Sequence, residues 1–516
     1  MPFLHTADEQ FTNQFFYGSL NLSVPVCAGA AQPHARPPRP VALVRGDCAY
    51  ASSQWRAAFS RRPDWELLPA DASSEDVSRA AVWIDEYESL DWEAVMSPPY
   101  RIASSFCVRK GLGRKGAMAE RLGAHAARCA HCPLRTQLPE TVLVDTYTAF
   151  HARPSWLDAR SALSEALSDA HDAVIAGGPA ARWILKPSIT NKGAGIVFCA
   201  DFDAVRAAVC AERDVCAWVL QRYEPSPLLL NPRSGSSEGG GARHKFHVRL
   251  YVLAVGALDV HIFNEALMLF APAPFVGAQF DDAAAHLTNS CVGSGHAGWH
   301  ENDMVRALSE LPALLVRDGI VSDAATGRVW AARAFQDMAL AVAHAFSALD
   351  GDVAGYMPAP LCFELYGVDF LLTQDGRAVL LEFNPSPDIA QTGTRLNPVI
   401  DALIEGAVRV AIDARVTVDD GSGGAPVGVR LAPPGAAAVV VDVEPKGSAP
   451  GGASGIVKDA GAGWAPGSSG AIFDGIDEEG AALAARVSHA PRHHGWTLVY
   501  SKKWRMAHDN MKVAFA

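Results

Sequence analysis

Hydrophobic and polar positions along this chain follow two periods, and the changes from one to the other mark out its elements. VALVRG (41–46) and AAVWIDE (80–86) are short apolar runs separated by a helix-length stretch, which predicts a small α/β unit. LPETVLVDTY (138–147) reads as a strand, and ARSALSEALSDAHDAVIAG (159–177) has helical spacing and ends in glycines. From 182 to 301 strands dominate: RWILKPS, GIVFC, AWVLQRY, HKFHVRLYVLAV and LDVHIFNEALMLF. Two amphipathic helices follow, AARAFQDMALAVAHAFSAL (331–349) and TRLNPVIDALIEGAVRVAID (394–413). Residues 19–40 predict an irregular arm, SGSSEGGGAR (234–243) a flexible loop, and the Gly/Ala/Pro-rich stretch 419–471 a mobile excursion. The order-promoting WTLVYSKKWRMAHDNMKVAF (496–515) is expected to pack back onto the body.

Between the two amphipathic helices lies ELYGVDFLLTQDGRAVLLEFNPSP (364–387). Two apolar runs flank Asp375-Gly376, a dipeptide suited to a two-residue hairpin turn. That turn would set Asp369 opposite Glu382, and the strand period of two adds Asn384 to the same face. Two carboxylates and an amide oxygen in an apolar setting need a compensating cation, and all-oxygen ligands suit Mg²⁺. The alternative is a hairpin whose acidic residues face solvent.

The chain has 516 residues, 49% hydrophobic and 19% charged, enough for two or three domains with sizeable cores. A net charge of −12 argues against nucleic acid as the main partner and against broad adhesion to acidic microtubules. A local basic cleft could still take an acidic ligand. No apolar run is long enough to span a bilayer, and the N-terminus lacks a secretory pattern, so a cytosolic address with reduced cysteines is expected. The ten cysteines are scattered. The tight group Cys129-Ala130-His131-Cys132, with His125 a turn upstream, lacks a second ligand pair at a recognisable spacing and reads as thiols of no special role.

Several basic segments surround the hairpin in sequence. WILKPSITNKGAGIVF (183–198) places Lys186 and Lys192 around a glycine turn, either a phosphate cradle or a common hairpin; it is not a Walker A motif. KFHVRLYVL (245–253) puts Lys245, His247 and Arg249 on one strand face, facing either an anion or solvent on an edge strand. RKGLGRKG (109–116) is a solvated face or a clamp over a polyphosphate, and HLTNS (286–290) reads as a loop. Nucleophile and zinc-hydrolase motifs are missing.

In order, CVRKGLGRK, WILKPSITNKGAGI, VLQRYEPSPLLL, HKFHVRLYVL, HLTN and CFELYGVDFLLTQDGRAVLLEFNPSP resemble the tubulin–tyrosine ligase family over about 102–412. The resemblance implies an α/β (α+β) ATP-grasp fold, with nucleotide held between two sheet-containing lobes and a small N-terminal α/β domain. The implied division is an N-terminal arm and domain (1–100), a central lobe (101–220), a C-terminal lobe with the metal hairpin (221–415), a Gly/Ala-rich segment (416–471) and a C-terminal segment (472–516). ATP would be bound by Lys110, Lys186, Lys192, Gly193, Gly195, Gln221, Lys245, His286 and Asn289. Mg²⁺ would be held by Asp369, Glu382 and Asn384, while Lys245 and Arg249 meet the γ-phosphate and the developing acyl phosphate. The implied reaction is ATP-dependent ligation of a free amino acid, tyrosine favoured, to a carboxylate of tubulin or another acidic-tailed protein. The implied setting is the cytoplasm and the cytoskeleton. Glutamate or glycine ligation, and an ATP-binding scaffold without catalysis, are the alternatives. His247 stands where the family usually has an acidic residue, and Asn264 and Leu269 stand where tubulin–tyrosine ligase has arginines.

Overall fold

The computed structural model describes residues 39–97, 100–129, 132–152, 156–190, 193–233, 241–276, 280–289, 296, 299–390, 394–419, 428–431, 492–493 and 495–501. The arm at 19–40 apart from residues 39 and 40, most of the loop at 234–243 and nearly all of 419–471 lie outside these residues.

Strands β1 (Val41–Val44), β2 (Glu66–Leu67), β3 (Val82–Ile84) and β4 (Ile102–Ala103) form a parallel sheet in the order β2-β1-β3-β4. Helix α1 (Ala49–Ser60) crosses from β1 to β2. Every residue of β1 and β3 is buried, as a parallel sheet covered on both faces requires.

Helix α2 (Lys115–Arg128) leads into a second sheet of four antiparallel strands. These are β5 (Thr141–Asp145), β6 (Trp183–Pro187), β7 (Val197–Cys199) and β8 (Ala217–Arg222), in the order β5-β8-β6-β7. The helical stretch at 159–177 is two helices, Trp156–Ala166 and α3 (Ser168–Gly177), which meet at Leu167, a core residue of this lobe whose φ of −96° and ψ of 0° depart from helical values. With helix α4 (Phe202–Ala211), these elements enclose Trp183, Leu185, Trp218 and Leu220 in a core separate from the rest.

The largest sheet begins with β9 (Leu229–Leu230), β10 (His244–Val255), β11 (Asp259–Phe270) and β12 (Val305–Ala307). After the long helix α5 (Ala324–Leu349) come β13 (Phe363–Leu372), β14 (Ala378–Pro385) and helix α6 (Asn397–Ala411). A separate two-stranded ribbon, β15 (Val416–Asp419) with β16 (Gly428–Leu431), precedes β17 (Arg492–His493) and β18 (Trp496–Ser501). The main order is β14-β13-β10-β11-β18-β17, with β9 on β10 and β12 on β11. The C-terminal WTLVYS therefore does pack back, as a strand on β11; residues 502–516 lie outside the described residues.

Strand β10 is central, paired with β11 and β13, which removes the solvated-edge alternative for KFHVR. Its even residues Phe246, Val248, Leu250 and Val252 join Met338, Val342 and Phe346 of α5 in one core. Its odd residues Tyr251 and Leu253 face α6 and the N-terminal sheet in another. Near-total burial on both faces follows from these two layers. The polar residues Lys245, His247 and Arg249 occupy the stretch where the lobes meet.

Phe346 is fully buried, with the rings of Tyr356, Tyr366 and Phe383 at 5.8, 6.0 and 5.9 Å. Phe346→Ala is expected to lose about 3–5 kcal/mol in urea unfolding, against about 0.5 kcal/mol or less for Val329→Ala on the exposed face of the same helix.

Candidate functional site

The hairpin β13–β14 closes differently from the expected two-residue turn. Gly376 N–H donates to the Thr373 carbonyl and Thr373 N–H to the Arg377 carbonyl, both at 3.0 Å, leaving Gln374, Asp375 and Gly376 as a three-residue loop. Only Gly376 takes a positive φ, +89°, the geometry of a type I turn followed by a left-handed glycine. This puts the tip one residue out of step, pairing Phe370 with Leu380. A bulge on the β14 side, where Leu381 is the extra residue opposite the Asp369–Phe370 step, restores the register, so that Asp369 pairs with Glu382 and Gly367 with Asn384. The acidic residues therefore converge, but through a different turn and a compensating bulge, and Asp369 is buried rather than solvent-facing.

Asp369 is gripped from the next strand by Arg249, through Nε and through Nη2 at 3.0 Å. Gly367 makes room for this: a Cβ there would lie 2.7 Å from Arg249 Cδ and 2.9 Å from Pro387 Cβ. Asn384 Nδ2 donates to Asp369 Oδ2 (3.1 Å) and Glu382 Oε1 (3.2 Å). Lys115 Nζ lies 3.2 Å from Glu382 Oε2 and donates to the Thr190 carbonyl at 2.6 Å. Lys186 donates to Gln221 Oε1 at 2.8 Å. Lys245 donates to Tyr223 Oη at 3.0 Å, and that hydroxyl is 2.6 Å from His286 Nδ1. His247 Nδ1 meets Thr288 Oγ1 at 2.6 Å; its Nε2 faces Asp369 Oδ1 at 3.7 Å and has no hydrogen-bond partner among the described residues.

Two cavities meet here. The smaller, about 110 Å³, lies between the lobes, and its lining includes Lys115, Lys186, Gly193, Gln221, Lys245, His286, Asn289, Asp369 and Glu382. The larger, about 380 Å³, lies between the N-terminal sheet and the main sheet, with Arg249, Leu269, Asn384 and Trp55 in its wall. His247, Asn289 and Glu382 line both.

The site thus gathers most of the residues expected from sequence. Gly195 lies outside both linings and packs on Pro187 at the base of the glycine loop. Lys192 falls outside the described residues. Lys110 opens a short helix, Lys110–Gly113, and lines neither cavity. Lys115, five residues later at the start of α2, holds the cleft position instead. Arg109 is neither solvated nor in the cleft: it pairs with Glu364, which is fully buried and also held by Ser105 Oγ (3.0 Å) and Tyr366 Oη (2.9 Å). Lys115, Tyr223 and Thr288 are site residues the sequence reading missed. Each lay in a segment singled out above, Lys115 in the basic run, Tyr223 in VLQRY and Thr288 in HLTN.

Burial and charge compete across the cleft. Burial alone would raise the Glu382 pKa, but Lys115, Lys186, the Asn384 hydrogen bond and Arg249 together bring it down to about 2. Burial lowers Lys186 to about 8, an effect tempered by Glu382. Burial and the neighbouring Lys186 lower Lys245 to about 7. Burial also lowers His247, favouring the neutral imidazole. Three lysines and an arginine thus stand around Asp369 and Glu382, a local cationic surplus where the two cavities meet, while Glu224 lines the smaller cavity and Asp47, Asp85, Glu86 and Asp388 the larger. The arrangement can accept a polyanion, whose approach would favour the charged form of both depressed lysines.

The architecture is two sheet-bearing lobes that meet at a charged cleft. The tubulin-tyrosine ligase family matches residues 149–419, more than half of the chain, and the chain belongs to that family. A probable tubulin–tyrosine ligase of Schizosaccharomyces pombe is 26% identical over 364 residues, covering 63% of this chain and 81% of that one. The probable tubulin–tyrosine ligase PBY1 of Saccharomyces cerevisiae is 26% identical over 373 residues, covering 63% of this chain and 45% of that one. Relatives matched over less of this chain include a human protein monoglycylase and a human probable tubulin polyglutamylase. Among solved structures, the C-terminal domain of K. lactis Pby1, an ATP-grasp enzyme interacting with the mRNA decapping enzyme Dcp2, aligns at a TM-score of 0.48 and 23% identity, covering 72% of this chain and 92% of that one.

Lys245 gives a test of the cleft's electrostatics. Its folded pKa of about 7 lies below the ordinary value of 10.5, so between those limits the unfolded chain holds a proton that the folded chain lacks. The group's destabilising effect is full below about pH 7 and fades as pH rises towards 10.5. Lys245→Met should therefore be more stable than the parent at about pH 6.5, with the gap shrinking by at least about 1 kcal/mol by about pH 9.5. Urea unfolding at the two pH values checks this, and a gap that stays constant would contradict it.

Proposed function

We propose that this protein is an ATP-dependent carboxylate–amine ligase that joins an amino acid, tyrosine favoured, to a protein carboxylate, the acceptor being a tubulin tail. The observation that carries this reading is the cationic surplus around Asp369, Glu382 and Asn384, placed where the two cavities meet. A nucleotide in the smaller cavity would present its terminal phosphate to the larger one, where a carboxylate and an amine can be brought together.

The donor set fits Mg²⁺. Asp369 and Glu382 converge on one amide, and rotating the Asn384 amide by half a turn would offer its oxygen in place of Nδ2. Bound there, Mg²⁺ would neutralise phosphate charge and orient the γ-phosphoryl group. Lys186 and Gln221 would hold the nucleotide from the central lobe, beside Gly193 and Asn289. Lys115, Lys245 and Arg249 would meet the negative charge that gathers on phosphoryl oxygens as the acceptor carboxylate attacks phosphorus and ADP leaves. In the second step a neutral amine attacks the acyl carbon, phosphate departs and the new amide nitrogen gives up a proton. Lys115 and Glu382 pair across the cleft at 3.2 Å.

Tyrosine is supported by the wall of the larger cavity, where Trp55, Tyr251, Leu267 and Phe363 offer an apolar, aromatic face, and Asp85 and Asp388 could receive an ammonium group. One observation favours a second reading, a nucleotide-binding regulatory or scaffold protein that does not ligate. Leu269 is buried in that wall opposite His247, at the position where tubulin–tyrosine ligase has an arginine, so acceptor binding has one cation fewer. Asn264, at the other arginine position, accepts from Thr497 Oγ1 at 2.6 Å and serves the β11–β18 contact.

Incubation with ATP, Mg²⁺, detyrosinated tubulin and labelled tyrosine, glycine or glutamate in turn should give tyrosine incorporation, lost in Asp369→Ala. Incorporation of glycine or glutamate instead would change the donor. No incorporation despite ATP binding would favour the scaffold reading. Glu382→Gln is expected to weaken Mg-ATP binding by about 10–100-fold in calorimetry with only a small change in Tm. An unchanged affinity would remove Glu382 from the metal site.

A further inference from the structure

Away from the cleft, the far end of α2 holds a second group of potential ligands. His125 lies in its last turn, Cys129 caps its C-terminus, and Cys132 follows after two residues. The Cys129 N–H donates to the His125 carbonyl at 3.3 Å, and the Cys132 N–H to the Cys129 carbonyl at 3.2 Å. His344 of α5 completes the group from 212 residues away. The ligand atoms of His125, Cys132 and His344 all lie within 4.8 Å of one another. Cys132 and His344 are each only 3% exposed.

Two of the three separations fit the edges of a coordination shell. His125 Nε2 lies 3.4 Å from His344 Nδ1, and Cys132 Sγ lies 3.6 Å from the same nitrogen. A tetrahedral zinc ion with Zn–N near 2.0–2.1 Å and Zn–S near 2.3 Å places two nitrogens about 3.3 Å apart and a nitrogen and sulfur about 3.6 Å apart. Both observed separations match those edges. The residue types agree as well: imidazole and thiolate are the ligands zinc favours, and Cys-x-x-Cys is a recurrent half of structural zinc sites.

We propose that His125, Cys132 and His344, with Cys129 as fourth ligand, bind a structural zinc ion. Cys129 is half-buried, four residues after His125 and three before Cys132; it stands outside the group of three within 4.8 Å, so its side chain would turn towards the ion to close a four-ligand site. The ion pins the C-terminal end of α2 to α5. The other end of α2 carries Lys115 onto Glu382 and ties Gly116 N–H to Ser188 Oγ at 3.1 Å. Zinc thus fixes one end of the helix whose other end enters the cleft. The thiolates need a reducing compartment, and binding releases the protons of the two thiols.

The test uses the full chain, purified without chelator and dialysed extensively. Elemental analysis should find about one zinc per chain, and Co²⁺ exchanged into the site should give tetrahedral d–d bands with thiolate charge transfer. Cys129→Ser should roughly halve the charge-transfer intensity, because one of two thiolates is lost. His344→Ala should abolish stoichiometric zinc. Zinc below about a tenth of an equivalent together with a cobalt complex lacking thiolate bands would overturn the site. Charge transfer unchanged in Cys129→Ser would overturn the fourth ligand. Because the cobalt spectrum is read on the unmodified chain, the proposal stays testable if His344→Ala fails to fold.

Discussion

A guanidinium facing a carboxylate across two central strands, Arg249 on β10 and Asp369 on β13, sets the terms for the rest of this molecule. Both groups lie inside a sheet covered on both faces, where an unpaired charge would be severely penalised. The pair therefore needs its register exact, and the register places Leu267, Arg249, Asp369 and Glu382 in one row across four strands. Everything else in the cleft extends that row. Asn384 bridges its two carboxylates, His247 leans on it from the next position of the same face, and Lys115 and Lys186 answer Glu382 from the opposite lobe.

The apolar layers exist to make such a row affordable. Helix α5 covers one face of the sheet and α6 with the N-terminal sheet covers the other, so backbone groups are satisfied internally and water is held to the cavities. The central lobe has its own core around Trp183 and Trp218, which lets Lys186 and Gln221 be presented from a separate body. A cleft between two independently packed bodies can hold opposed charges close without merging them into a core.

How much of this was legible in the sequence depended on whether the relevant partner was local. The pairing of Asp369 with Glu382 followed from the expected two-residue turn, and it holds because the bulge offsets the three-residue loop that forms instead. That loop was not legible, because Asp-Gly serves a three-residue loop as well as a two-residue one. Strand order is a long-range fact, so the central place of KFHVR, and with it the pairing of Arg249, could not be read from alternation. A run such as RKGLGRKG shows that cations are present without showing where each points. The fold sends Arg109 to a buried glutamate and Lys115 to the cleft. His344 was invisible as a neighbour of Cys132 because only the packing of α2 on α5 joins them. The helical reading at 159–177 missed its break because Leu167 satisfies the same periodicity from inside a core.

The bulge beside Asp369 has a consequence for how this hairpin can vary. Between the loop at Gln374–Gly376 and the acidic row, it works as a phase shifter: whatever step the tip imposes is reset before the chain reaches Asp369 and Glu382. The outer part of the hairpin packs toward Trp330, and its Arg377 donates to the Thr136 carbonyl, while the inner part keeps its alignment with β10. The hairpin is thus two mechanically distinct halves on one ribbon. Its tip is free to change length by a residue, provided the bulge is gained or lost with it, and the charged row would not register the difference.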